Sequence, residues 1–397
     1  MSEFEGYEFF TDASDFIDAR IAIIGVGGGG NNAVDRMIQE GSIDDVTFVA
    51  VNTDVNVLKN SKAPIRIQIG KKETKGLGAG ARPEVGAKSA QENLEDIMTV
   101  LDRCDVVFIT AGMGGGTGTG AAPIIAKAAK EKGILTIAVV SKPFSFEGNR
   151  KMKVAEEGIK ALKANVDSML IVPNNNIFKV FKENVSAKEG FKKADEILMQ
   201  SVKGIYDIIK KCGDINIDFA DIRTIMSNRG VIHMGVGYGK GEERFKQALA
   251  HATQNPLLET TINGAKAVLV QYYGDKLDMM ELSRCGAEIC EKADPDVDLI
   301  FGTREPEQEN EDARDFVFIT IIAADFADAI DSGSENIAAS ANESAAQSFA
   351  TPIGSNAFAK PASNTPNFGF GTPQAAPSQS SQDNSDDDIP AFLKGKR

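Results

Sequence analysis

Residues 112–123 read GMGGGTGTGAAP, directly behind the apolar, strand-like run DVVFITA and leading into IIAKAAK. Glycine admits positive φ and removes the Cβ that would hold an anion away, and the first N–H groups of a helix point at such an anion. An apolar strand, a glycine turn and a helix in that order predict a phosphate cradle, to which Thr117 and Thr119 add hydroxyl donors. No lysine follows the glycines as GxxxxGK[ST] requires, so the segment is not a Walker-type site. Flexible glycine-rich linkers are polar on both sides, whereas this tract sits between apolar neighbours.

A second tract lies in ARIAIIGVGGGGNNAVDRMI, where Gly25, Gly27, Gly28, Gly29 and Gly30 separate a β-rich run from an amphipathic helix. Two cradles suggest one polyphosphate ligand. Taken alone, Gly25-x-Gly27-x-x-Gly30, with Asp54 ending the next strand-like run, is also a dinucleotide fingerprint and would suit an NAD-dependent oxidoreductase. That alternative leaves unexplained both the 112–120 tract and a third glycine turn, GLGAGA at 76–81, and the second half of the chain offers it no convincing acid or base.

A charge of −14 argues against general nucleic-acid binding and direct adhesion to anionic lipid, so membrane contact is expected only through other proteins. Cys104, Cys212, Cys285 and Cys290 lack metal-ligand spacing, and no signal peptide is recognised, which suits a reducing cytoplasm. The uncharged stretch 106–126 contains too many glycines and threonines for a good membrane span. With His233 and His251 as the only histidines, a zinc site or triad has little to build with, and both are expected to be structural or exposed. No resident protein metal site is expected.

Along the chain, 1–18 reads as an N-terminal extension. From 19 to 186, β-like runs (ARIAIIGV, VTFVAVN, IRIQI, DVVFITA, LTIAVVS, SMLIV) alternate with helical ones such as PEVGAKSAQENLEDIMTVL. This alternation predicts an α/β fold: a doubly wound, mostly parallel sheet with ligands at the carboxyl ends of its strands. Apolar residues at three- and four-residue steps predict a long connecting helix over 187–212. Residues 213–331 read as a second, α+β domain, with helices from Phe219, near Glu242–Ala252 and near Lys276–Glu291. The Ser-, Asn-, Pro- and Gly-rich stretch 332–385 has the composition of a disordered linker. Residues 386–397 end that tether with Ile389, Phe392 and Leu393, which suggests a short recognition peptide.

Both glycine tracts, NTD at 52–54, TKGLGAGARPEVG at 74–86, KPFSFEG at 142–148, VDSMLIVPN at 166–174, NIDFADIRTIM at 216–226 and the terminal DDIPAFL together resemble the tubulin/FtsZ family of GTPases. The resemblance implies a GTP-dependent protein that polymerises head-to-tail into the filaments of the bacterial division ring. It implies GTP or GDP with nucleotide-associated Mg²⁺ as ligands. The protein would be cytoplasmic at the division site, bound to membrane-anchor and regulatory division proteins through Asp387–Leu393, with no membrane insertion of its own. After the oxidoreductase, a third possibility is a related tubulin-like protein with another task, such as plasmid partition, against which the DDIPAFL tail argues.

By residue matching, the resemblance assigns the phosphates to Gly28, Gly29, Gly30, Asn31, Asn32, Gly116, Thr117 and Gly118, with Ala79 and Gly80 near the γ-phosphate. It assigns the ribose to Glu147 and the base to Phe191 and Asp195, one helical turn apart. Where many members carry an arginine, this chain has Lys151 beside Arg150; lysine keeps the charge and loses the planar fork, leaving open which of the two meets the nucleotide. Asn216, Asp218 and Asp221 match the loop that one subunit inserts into the pocket of the next, where carboxylates orient water and complete the active site. Simpler roles exist for each: Phe191 as a core aromatic, Asp218 as a helix cap, Asp221 as a partner of the helix dipole.

Overall fold

The computed structural model describes residues 19–326, apart from 42, 181–185, 212, 255–256, 259 and 307–314. The expected N-terminal extension, linker and terminal peptide therefore lie outside the described residues.

The apolar runs of the first half form β1 (Ile21–Val26), β2 (Val46–Asn52), β3 (Ile65–Gln68), β4 (Val106–Gly112), β5 (Leu135–Lys142) and β6 (Ser168–Pro173), joined by a two-residue β7 (Gly230–Val231). They lie in the order β3-β2-β1-β4-β5-β6-β7, every pair parallel. The chain winds outward from β1 through β2 to β3, then returns to β4 and winds the other way. The reversal point lies between β1 and β4, where doubly wound sheets open a ligand crevice beyond the strand ends. Both long glycine tracts follow these two strands.

Helices α1 (Gly27–Glu40), α2 (Val55–Asn60), α3 (Lys71–Thr74), α4 (Pro83–Glu92), α5 (Leu94–Leu101), α6 (Thr117–Glu131) and α7 (Asn149–Lys163) connect these strands. The helical run expected across 83–101 is broken at Asn93, whose side chain accepts from Gly70 N–H at 3.0 Å and donates to Asp96. The stretch 106–126 folds as β4 and the start of α6, and no described helix is long and apolar enough to cross a membrane.

After α8 (Ile177–Val180), the long helix α9 (Ala187–Lys210) starts from a capping box in which Ser186 and Glu189 satisfy each other's backbone N–H groups. Its apolar stripe, Ala194, Ile197, Leu198, Val202 and Ile205, is buried. Gly204 lets it approach the second domain, since a Cβ there would stand 2.0 Å from Met234 Cε. That domain holds α10 (Phe219–Met226), β8 (His233–Lys240), α11 (Arg244–Thr253), β9 (Ala265–Gly274), α12 (Met279–Lys292), β10 (Asp298–Arg304) and β11 (Phe316–Phe326). Its sheet runs β10-β9-β11-β8, mixed in direction, as an α+β domain requires.

Strand β8 has no counterpart among the elements expected from the sequence, since glycines interrupt its apolar run. Its glycines alternate, so they share one face. A Cβ on Gly235, Gly237 or Gly239 would stand 1.7, 1.8 or 1.9 Å from a carbonyl oxygen of α11 or its first residue. The helix backbone lies directly on that bare face. His233 opens the strand fully buried, its Nδ1 3.0 Å from Thr260 Oγ1, and burial pushes its pKa down to about 4; His251 is exposed, with Nδ1 3.0 Å from the Tyr238 carbonyl.

Candidate functional site

Helices α1 and α6 begin at the carboxyl ends of β1 and β4 with no side-chain cap on either: the cap positions are Val26 and Gly116, and neither first turn carries an acidic residue. Helix N-termini leave N–H groups without helical partners, and no side-chain cap satisfies those of these two.

The glycines of this edge divide into two kinds. Some are dictated by the fold. A Cβ on Gly30 would meet Thr110 O at 2.2 Å, one on Gly25 would meet Gly30 O at 2.5 Å, and one on Gly120 would meet Pro83 O at 1.9 Å. Others bring the loops together: Gly27, at φ +73, would place a Cβ 2.7 Å from Gly118 N, and Gly116 would place one 2.7 Å from Ala79 Cβ. The two tracts and the 76–82 loop thus converge. Gly28 and Gly115 belong to neither kind, since a Cβ on either would meet nothing within 4 Å and neither has a positive φ. Their bareness opens space for a ligand to lie on the backbone.

Asn31 serves the frame, donating from Nδ2 to Gly25 O at 2.8 Å and accepting from Asn52 at 2.7 Å, whereas Asn32 is exposed beside Gly28. The Thr117 hydroxyl is buried 2.6 Å from that of Thr53, and Thr119 accepts from Gly114 N–H, which closes the turn. Gly80 is exposed on its loop and Ala79 is tucked against Gly116.

Beyond β5, Phe144, Phe146, Phe178 and Phe191 form an aromatic cluster. The Phe191 ring meets Phe144 edge-on at 5.2 Å and Phe146 at 6.3 Å. Phe144 is 2% exposed and anchors the group, whereas Phe191 is 42% exposed. Phe191 is therefore a half-open ring on a buried base rather than a core residue, and an aromatic face of this kind can accept a planar base. Asp195, one turn further along α9, is half-buried. Desolvation pushes its carboxyl up to about 7, with Arg36 of α1 pulling the other way.

Glu147 accepts from Phe144 N–H at 2.8 Å and from Lys151 Nζ at 2.5 Å. The Lys151 stem lies against Gly114, where a Cβ would stand 2.8 Å from Lys151 Cγ, while Arg150 is exposed. Sequence reasoning assigned no role to Asn174, which follows Pro173 at the carboxyl end of β6. It is 5% exposed, and its Oδ1 has no hydrogen-bond partner. The available signal was a polar residue behind a strand-ending proline.

Asn216, Asp218 and Asp221 lie elsewhere. Helix α10 is fastened to the amino-terminal edge of the same sheet. Arg223 donates to Gly133 O at 2.6 Å just before β5, and Ser168, opening β6, donates to Met226 O at 2.6 Å. Asp218 stands at the cap position but makes no side-chain cap bond, and both aspartates are exposed. Asn216 accepts from Gly213 N–H, and Ile215 is bridged to Thr303 of β10. The loop is held firmly while its carboxylates face outward.

Two family models match. One, described as the Tubulin/FtsZ family, GTPase domain, covers residues 20–182; the other, the FtsZ family, C-terminal domain, covers residues 230–327. An empty FtsZ dimer from M. jannaschii is 40% identical with a TM-score of 0.70, the match covering 77% of this chain and 88% of that one. The chain belongs to the tubulin/FtsZ family. A mutant of the M. jannaschii protein gives 40% identity, a TM-score of 0.71 and coverage of 77% and 91%. GDP-bound CetZ1 from Haloferax volcanii, at 23% identity, TM-score 0.67 and coverage of 78% and 95%, shares the fold. The first domain is thus a GTPase domain of this family, which implies guanine-nucleotide binding by that domain and removes the oxidoreductase alternative.

Proposed function

We propose that this chain binds GTP at the carboxyl edge of its first sheet and hydrolyses it only when the acidic loop of a second copy closes the site. Gly28–Asn32 and Gly116–Gly118 present their donors to the phosphates, with Ala79 and Gly80 at the γ-phosphate. Glu147 takes the ribose, and Lys151 rather than Arg150 meets the nucleotide. Phe191 stacks on guanine, Asp195 accepts from its N1–H and amino group, and Asn174 supplies a further acceptor. Asn216, Asp218 and Asp221 of the neighbour orient the attacking water. Mg²⁺ would be carried on the phosphate oxygens of the nucleotide, which such an ion commonly bridges.

The observation that carries this reading is the separation of the two halves. Strand β5 spans eight residues, a rise of roughly 23 Å between the edge that holds α10 and the edge that holds the cradles. One subunit cannot bring both to one phosphate, whereas a head-to-tail contact between two can, and such a contact repeats without end where it does not close into a ring. The result is a filament, here the scaffold of the bacterial division ring, tethered in the cytoplasm to membrane anchors by Asp387–Leu393.

GTPase activity per molecule, measured across protein concentration alongside light scattering, tests this. Activity and scattering should rise together above a threshold, with GTP bound but uncleaved below it. Constant activity per molecule at all concentrations would refute completion by a neighbour.

A further inference from the structure

Thr53 sits in the turn between β2 and α2 and is 0% exposed. Its hydroxyl lies 2.6 Å from that of Thr117, the first residue of α6. The Thr74 hydroxyl shares its one hydrogen between Gly70 O at 2.9 Å and the Thr53 carbonyl at 3.3 Å, and accepts from Gly76 N–H at 3.3 Å. Val55 N–H donates to Gly76 O at 3.2 Å, and Asp54 forms a β-bridge with Leu77. A continuous polar path therefore runs from the N-terminus of α6 through Thr53 and Thr74 into the loop that carries Ala79 and Gly80.

That loop needs holding. Lys75 and Ala81 have positive φ, which for residues with a Cβ persists only where surrounding contacts determine it, while Gly76, Gly78 and Gly80 take positive φ freely and leave the loop little stiffness of its own. Its far end rests on the cradle, since a Cβ on Gly116 would come within 2.9 Å of Arg82 N. The hydroxyl pair ties the start of this path to the first residue of α6.

We propose that Thr53 is a positioning residue that fixes the 76–81 loop against the glycine cradle, so that the site distinguishes a nucleoside triphosphate from a diphosphate. The proposal rests on the reading of Ala79 and Gly80 as γ-phosphate contacts. A hydroxyl that merely satisfied a buried neighbour would affect both nucleotides alike; one that aims the γ-phosphate loop affects the triphosphate selectively.

The test is equilibrium binding of GTP and GDP to the full chain below its assembly threshold, with circular dichroism as the check on folding. Thr53→Val should weaken GTP roughly tenfold, the scale of one buried hydrogen bond, while GDP stays within about twofold. Thr53→Ser should restore the GTP preference. Thr74→Val, which cuts the next link, should repeat the selective loss, and decides the matter alone if Thr53→Val does not fold. Equal losses for both nucleotides, an unchanged ratio, or failure of serine to restore it would overturn the assignment of Thr53. An unmodified chain that binds neither nucleotide would instead overturn the underlying reading and the assignment with it.

Discussion

The two edges of the first sheet are made of different material. At the carboxyl edge the chemistry is mostly backbone: uncapped helix ends, glycines without neighbours and loops pressed against one another. At the amino edge it is side chain: Asp218 and Asp221, exposed on a helix that Arg223 and Ser168 fasten to the sheet. A backbone cradle can hold an anion in an isolated subunit, because donors fixed by the fold need no partner to place them. Exposed carboxylates with nothing to act on do no chemistry until something is brought to them. On the function proposed above, the contrast would separate binding, within one subunit, from hydrolysis, which needs two.

The sharpest way to break that separation is Asp221→Asn. Binding of GTP should be retained and hydrolysis should fall about 100- to 1000-fold, the scale of losing a group that acts on the transition state. Single-turnover measurements on assembled protein would report it. Mixtures with unmodified chain should lose more activity than dilution explains, since each variant subunit disables its neighbour's pocket. Normal hydrolysis by the variant would erase the distinction between the edges.

A pair of alanines tests the two kinds of glycine on the cradle side. Gly30→Ala, with its new Cβ 2.2 Å from Thr110 O, should destabilise the fold by about 3 kcal/mol or more, visible as a lowered denaturation midpoint. Gly28→Ala should melt like the unmodified chain and still bind GTP roughly tenfold more weakly, because its methyl group enters only the ligand's space. If Gly28→Ala bound normally, the open backbone would not be the phosphate surface.

Asp195 sharpens the comparison through pH. Its folded pKa stands above the unfolded value of 3.8, so in the free protein its stabilising contribution is present below that value and lost as pH rises through about 7. Guanine requires the carboxylate, so affinity should run the opposite way, falling about tenfold from pH 8 to pH 6. Asp195→Asn should bind more weakly with a flat profile between these values; a flat profile in the unmodified chain would remove Asp195 from the base site. The smallest effect is expected at the phosphate flank, where Lys151→Ala should weaken GTP about fivefold and Arg150→Ala should change it by less than about twofold, since only the lysine lies against Gly114.

Much of this was legible in the sequence. Period and composition placed β1 to β6, the long helix and the glycine turns that follow β1 and β4, because apolar alternation and glycine tracts have direct conformational consequences. Strand β8 escaped because its glycines answer to a helix that packs across them, a requirement set by residues 244 to 252 rather than by the strand's own propensity. Strand β7, two residues long, carries no periodic signal and exists through its pairing with Ser168 and Met169. The candidate site was legible as a set of segments but not as a division of labour. That Asn31 is spent on the frame, that Asn174 carries an unsatisfied oxygen and that Thr53 meets Thr117 are facts of distance between residues far apart in the chain.

The fastening of α10 to the starts of β5 and β6 also has a mechanical side. In a head-to-tail filament of this chain, the path from one phosphate to the next enters at the carboxyl edge, passes along the strands and leaves through α10. Tension on the filament would then be borne along covalent backbone, with the hydrogen bonds between strands lying crosswise to the pull. The weakest link in the line would be the nucleotide itself, so cleaving the γ-phosphate would cut the filament where it carries force.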